Sequence, residues 1–235
     1  MRLDKLLVST GKYSRSEAGR VIRGGNVTVN GRVEKHAACA VDPEADTITL
    51  DGQPLIYRQY TYILLNKPDG YVSATEDGRE LTVLTLLPDE LQRIGLFPCG
   101  RLDKHTLGLM LLTNDGALGH RLLSPRHHVP KKYAFTCQAP LSEQDCARLS
   151  EGVELEDGYR TKSATVTTEA DGLHGTITLT EGKYHQIKRM MEAVGNRIVE
   201  LERITFGPLV ADATLARGQW RYLTDAEIEA LRQQP

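Results

Sequence analysis

Between Gly100 and Leu112 the 235-residue chain reads GRLDKHTLGLMLL. A loop carrying Arg101, Asp103, Lys104, His105 and Thr106 runs into Leu107–Leu112, which has the composition of a buried strand. Charged groups set against an apolar strand are costly unless they are paired or used. A carboxylate in that position is equipped for nucleophilic, electrostatic or proton-transfer work. Taken alone, however, one Asp in a turn more often caps its own backbone. The other candidates are His105, the adjacent pair His127 and His128, and the cations of HQIKRM, Lys188 and Arg189. Neighbouring His rings point in different directions on a helix or strand, which favours backbone or phosphate contacts over a shared metal. No His/Cys/carboxylate set has metal-ligand spacing. Cys39, Cys99, Cys137 and Cys146 form no CxxC pair, so neither a disulfide framework nor a zinc knuckle is expected.

The elements that must position these groups read as follows. Tyr60–Leu65 forms a strand, Asn66–Gly70 is dense turn chemistry, and Tyr71–Ser73 returns as a second strand. Leu81–Leu87 forms a short helix ended near Pro88. Tyr133–Gln138, Lys162–Thr168 and Gly175–Thr180 are strands, and Leu141–Gly152 and Gln186–Val194 are helices. Strands outnumber helices without regular βαβ alternation. The expected class is α+β: a larger domain with a mainly antiparallel mixed sheet and flanking helices, beside a small N-terminal α/β domain.

Composition agrees with a soluble, cytosolic protein that binds no membrane. Hydrophobic residues make up 40% of the chain and the formal charge is −2. No run of about 18 apolar residues is present. Nor does the sequence carry a heptad seam, so a monomer is expected. Residues 1–35 nevertheless hold eight Lys and Arg against three acids, a local +5 that fits binding of a polyanion or, equally, a solvated helix face. In this module Leu3, Leu6 and Leu7 fall at helical spacing. Ser14 and Glu17 form a capping box for a second helix burying Ala18, Val21 and Ile22, and Asn30-Gly31 is a type I′ hairpin turn after Val27 and Val29.

RLDKLL (2–7) and SRSEAGRVIRGGNVTVNG (14–31) resemble the S4 RNA-binding domain. By that resemblance Arg2, Lys5, Arg15, Arg20 and Arg23 contact RNA phosphates. GRLDKHTLGLMLLTNDG resembles the catalytic motif of RNA pseudouridine synthases of the RsuA branch. NKPDGYV (66–72), SPRHH…KKY (124–133) and EGKYHQIKRMMEAVGN (181–196) match the same branch in the same order. The implied organisation is an S4-like domain over 1–54, a linker over 55–60 and a synthase domain over 61–235. The implied reaction moves uracil from an N1 to a C5 bond at ribose C1′, on ribosomal RNA, first of all 16S rRNA with 23S rRNA as the runner-up, with no cofactor or metal. The resemblance makes Asp103 the catalytic carboxylate, kept ionised by Lys188, with Tyr133 against the uracil. It makes Arg101 the occupant or stabiliser of the flipped base's site, and Leu201 the apolar group on the base's other side. Arg126, His127, Lys183 and Arg189 become RNA contacts. On residue type alone, Arg101 reads as a loop anchor and Lys188 as an exposed helix charge. A non-catalytic RNA-binding factor and a nucleosidase are the competing functions; the nucleosidase requires a second carboxylate, for which Asp115 is the nearest in sequence.

Overall fold

The computed structural model describes residues 1–124 and 129–234. The chain divides into two compact units, Met1–Thr61 with Leu87–Leu96, and Tyr62–Leu86 with Phe97–Pro235.

In the first unit, α1 (Leu3–Ser9) and α2 (Arg15–Arg23) precede a sheet of β1 (Val27–Val29), β2 (Arg32–Val33), β3 (Ile48–Leu50) and β4 (Gln53–Pro54), in the order β2-β1-β3-β4. The capping box at Ser14 and Glu17 is present, and Ala18 and Ile22 are buried with Leu3, Leu6, Leu7 and Val27. Asn30 and Gly31 both have positive φ, 52° and 78°, as the hairpin turn requires. The segment 87–96, which holds the short α3 (Asp89–Gln92), packs here rather than with the strands that flank it in sequence. At Gly11 a Cβ would lie 1.8 Å from the Glu90 carbonyl oxygen, so only a glycine admits that chain.

The second unit is built on β5 (Tyr62–Lys67), β6 (Phe97–Pro98), β7 (Leu107–Thr113), α4 (Gly116–Leu123), β8 (Lys131–Cys137), α5 (Glu143–Glu151), β9 (Thr165–Thr168) and β10 (His174–Leu179). There follow α6 (Gln186–Ala193), β11 (Ile198–Phe206), β12 (Leu209–Val210), β13 (Trp220–Tyr222) and α7 (Asp225–Arg232). The main sheet runs β13-β5-β7-β11-β8-β10-β9, with β12 pairing β11 and β6 pairing β7. Only the β7–β11 pairing is parallel among these. The strands β5 and β7 lie inside the sheet and are apolar on both faces, which explains their unbroken hydrophobic runs. Gly108 sits opposite Arg203 in the parallel pair with φ 96°, and a Cβ there would come within 2.4 Å of the Arg203 carbonyl oxygen.

Several elements differ from the sequence expectation. The strand β5 begins at Tyr62, two residues later than its apolar pattern suggests. Residues 71–73 form no strand; Val72 makes an isolated bridge to Thr82. The helix expected over 81–87 narrows to a 3-10 turn at Val83–Leu86. Asn114-Asp115-Gly116 starts α4, with Asp115 accepting from the Leu118 N–H at 3.0 Å and from the Tyr62 hydroxyl at 2.7 Å. The nine-residue β11 has no counterpart in the sequence reading because its register shifts between Ile198 and Glu200 and again between Arg203 and Thr205, which breaks the period-2 pattern.

A charged clamp closes the C-terminus. Arg221 on β13 donates to Asp212 at 2.6 Å and through both terminal nitrogens to Glu227 on α7 at 2.8 Å each. The Thr214 hydroxyl and the Arg221 guanidinium hold the Asp212 carboxyl down at about 2, below its ordinary 3.8. The same guanidinium holds Glu227 at about 2, below its ordinary 4.5. Both folded values lie below the unfolded ones, so this contribution to stability is complete above pH 4.5 and fades as pH falls to about 2. Arg221→Gln is expected to be less stable at neutral pH and to lose less further stability than wild type between pH 4.5 and 2. Denaturant midpoints measured across that interval check this, and equal losses in the two proteins contradict it.

Candidate active site

Three structural sources in the second unit meet around one cavity of about 940 Å³, within the range of ligand sites. The sheet supplies Tyr133 from β8 with Leu201 and Arg203 from β11. Tyr133 stands opposite Arg203, and Leu201 stands opposite Phe135. The 100–106 loop supplies Arg101, Asp103 and Lys104, and the turn into α6 supplies Lys183, Tyr184, His185 and Lys188.

Asp103 is the focus. Its Oδ2 lies 3.6 Å from Lys188 Nζ and its Oδ1 lies 3.6 Å from His185 Nε2, so each oxygen faces a different nitrogen group. The carboxylate is 27% exposed rather than sealed, which corrects the expectation of a buried acid. The facing ammonium and the N-terminal end of α6 put positive charge beside both of its oxygens. Tyr133 and Leu201 are buried in the cavity wall, whereas Arg101 is exposed at it. Among the described residues that line the cavity, seven Lys and Arg face three acids, on a chain whose net charge is −2. This local excess is the form in which a neutral protein attracts a polyanion.

Other expected RNA contacts are distributed differently. Lys183 reaches the cavity with its Nζ over the Tyr159 ring at 4.5 Å. Arg189 is held by Asp157 at 2.7 Å and does not line the cavity. Arg126 and His127 lie outside the described residues. In the first unit Lys5, Arg15, Arg20 and Arg23 are exposed; Arg2 is exposed too but forks onto Asp4 at 2.6 and 3.0 Å, which neutralises it locally. Lys104 pairs with Glu80 and His105 with Asp69, at 2.7 and 2.8 Å. Glu169, Asp171 and His174 bring potential ligand atoms within 4.8 Å of one another, a grouping that the sequence reading did not recognise. All three are exposed, none lines the cavity, and Asp171 already holds His174 at 2.6 Å.

Three supporting groups escaped the sequence reading. His185 has φ 49° and ψ 32°, a left-handed conformation uncommon outside glycine, and it turns the chain into α6 beside Asp103. Arg203 is fully buried, donates its Nε–H to the Leu109 carbonyl at 2.7 Å and lies 5.2 Å over Phe206. Lys67, also fully buried, donates to the carbonyls of Pro68, Lys104 and Thr106 at 3.1, 2.9 and 2.9 Å. It thereby ties β5 to the segment just after Asp103. Burial pushes its pKa down to about 8. The three carbonyls oppose that fall, since a neutral amine has only two N–H groups to give. The signal for Lys67 was a Lys ending an apolar strand; nothing in the sequence tells such a Lys from a solvated one.

Comparison with known proteins decides what this arrangement belongs to. The model of the RNA pseudouridylate synthase family matches residues 61–193, which contain Asp103, Tyr133 and Lys188. The chain belongs to that family. The S4 domain model matches residues 1–46 of this synthase. It is 45% identical over 236 residues to the uncharacterized RNA pseudouridine synthase YtzG of Bacillus subtilis, covering 99% of each chain. It is 43% identical to the ribosomal small subunit pseudouridine synthase A of Salmonella typhimurium, over 98% of this chain and 100% of the relative. A crystal structure of a pseudouridylate synthase superposes with a TM-score of 0.69 at 37% identity, over 98% of this synthase and 99% of that chain.

Lys67→Met is expected to lower stability by about 3 kcal/mol or more, because the buried Thr106 carbonyl and its two neighbours lose their donor. Thermal unfolding measures the loss. An unchanged midpoint would show that Lys67 does not anchor the loop.

Proposed function

We propose that this protein isomerises one uridine of small-subunit ribosomal RNA, the 16S rRNA, to pseudouridine, with Asp103 as the catalytic group. The observation that carries this reading is the Asp103 carboxylate set between Lys188 and His185 in a cationic cavity floored by Tyr133 and Leu201. The choice of RNA follows relatives that carry the small-subunit name at 42% and 43% identity across nearly all of this chain.

In this reading the target uridine leaves its stack, because C1′ and C5 are out of reach inside a helix. Asp103 meets the sugar or base as the N1–C1′ bond breaks, and its negative charge offsets the positive charge that develops on the sugar. The freed base turns and C5 bonds to C1′. The C5 proton is lost and N1 ends protonated, so atoms balance without water, oxidant or metal. Lys188 faces Asp103 as its counter-charge, Tyr133 and Leu201 pack against the uracil, and Arg101 occupies or steadies the site that the base has left. Lys5, Arg15, Arg20 and Arg23, with Lys183, hold phosphates, while Arg2 and Arg189 serve mainly their own carboxylates. The protein acts as a cytoplasmic monomer.

A nucleosidase would need a second carboxylate free to activate water. Asp115 caps α4 and binds Tyr62, Glu181 is engaged by the Tyr159 hydroxyl at 2.7 Å and the Lys162 N–H at 3.0 Å, and Asp77 accepts from the Arg79 and Glu80 N–H groups at 2.9 Å each. These engagements favour isomerisation over hydrolysis.

Asp103→Asn is expected to reduce pseudouridine formation by at least about 10³-fold while RNA affinity stays within about threefold of wild type. Carbodiimide mapping of rRNA from cells with and without the protein locates the site. Retained turnover in the Asn variant rejects the assignment, and a missing mark in the large-subunit rRNA instead moves the substrate there. Separately, charge reversal at Arg20 and Arg23 is expected to weaken RNA binding and reduce the salt slope by about 1 for each phosphate that is no longer neutralised. Binding that responds to salt as before would remove those residues from the interface.

A further inference from the structure

Tyr184 is 75% exposed, and with Leu123 at 41% it is one of two exposed large apolar side chains in the cavity wall among the described residues. Its ring is not loose. It stacks on the His185 imidazole with centroids 3.8 Å apart and planes 17° from parallel. The other edge of that imidazole reaches Asp103 Oδ1 at 3.6 Å. The backbone beneath the pair is fixed on both sides. Lys183 N–H donates to Gln186 Oε1 at 2.9 Å, Arg189 reaches the Tyr184 carbonyl at 3.5 Å, and Asp157 anchors Arg189 at 2.7 Å. His185 holds its left-handed φ of 49° at the centre of this arrangement. Such a conformation persists in a non-glycine residue only when its surroundings over-determine it, and it concentrates at functional sites.

We propose that Tyr184 is a stacking platform for the nucleobase next to the target uridine, so that the stack base–Tyr184–His185 ends on Asp103. The inference rests on the RNA reading above and adds a second, base-binding subsite to it. An aromatic face that is already rigid and already backed by a stacked ring costs little entropy to bind. It is tolerant of sequence, because every base offers a π face. The neighbouring cation Lys183 fits a strand whose phosphate passes beside the ring. A base that docks here presses on the imidazole beside the catalytic carboxylate, so binding of the neighbour favours one position of Asp103.

The test uses an rRNA fragment containing the uridine mapped with the wild-type enzyme. Tyr184→Ala is expected to lose about 5- to 100-fold in kcat/KM, the usual range for one base–aromatic stack, with its thermal midpoint unchanged. Tyr184→Phe and Tyr184→Trp are expected to restore most of the loss. An abasic nucleotide on one side of the uridine is expected to lower wild-type kcat/KM by a similar factor and to cost Tyr184→Ala almost nothing further. A Tyr184→Ala variant within about twofold of wild type overturns the proposal, as do losses from the variant and from the abasic nucleotide that simply multiply. Failure of wild type to form pseudouridine in any RNA would instead count against the underlying reading of the active site.

Discussion

The Asp103 carboxylate is set within reach of cationic groups from a distant element, and that placement organises the second unit. The Asp103 oxygens are each 3.6 Å from a nitrogen of α6 or its cap. Those separations are loose for hydrogen bonds, and a tightly bonded carboxylate would be a poorer nucleophile and a poorer electrostatic partner for a sugar. The arrangement sets positive charge beside Asp103 and leaves its oxygens available. It can hold only if the loop and the helix are positioned by something other than the ion pair itself.

Two buried cations supply that support. Lys67 reaches from the end of β5 to two carbonyls of the segment that follows Asp103, at Lys104 and Thr106. Arg203 reaches from β11 to the Leu109 carbonyl of β7, across the parallel pairing that Gly108 permits. Each commits a full positive charge to backbone oxygens, which is expensive in an apolar sheet unless the position gained is needed. Each also adds positive potential beneath the cavity, so the scaffold and the electrostatics of the site are partly the same atoms.

The local signals were the most legible. The capping box at Ser14 and Glu17, the Asn30-Gly31 turn and the apolar run of β7 depend on neighbours within a few residues, and all three appear as read. The grouping of Asp103 with Lys188 and Tyr133 is also observed, although it came from family resemblance rather than from spacing; 85 residues of chain separate Asp103 from Lys188. What was hidden depended on distant contacts. Lys67 and Arg203 look like ordinary surface cations until the sheet closes over them. The period of β11 is interrupted by two register shifts, and the segment 87–96 leaves its sequence neighbours to pack on Gly11. The paired Arg2 and Arg189 were counted as free charges because a sequence does not show which Asp lies opposite.

Charge is therefore a local property of this fold and not a property of the chain. A pI near 6.4 suggests no polyanion, yet among the described residues the cavity gathers seven cations against three acids. The acids that cancel them on paper sit elsewhere. Asp212 and Glu227 close the C-terminal clamp on Arg221, Asp4 takes Arg2, and Asp157 takes Arg189. Internal pairing of this kind withdraws acids from the face that must admit RNA. It leaves Asp103 among the few negative groups described in the cavity, so a phosphate entering the basin meets positive charge in most directions.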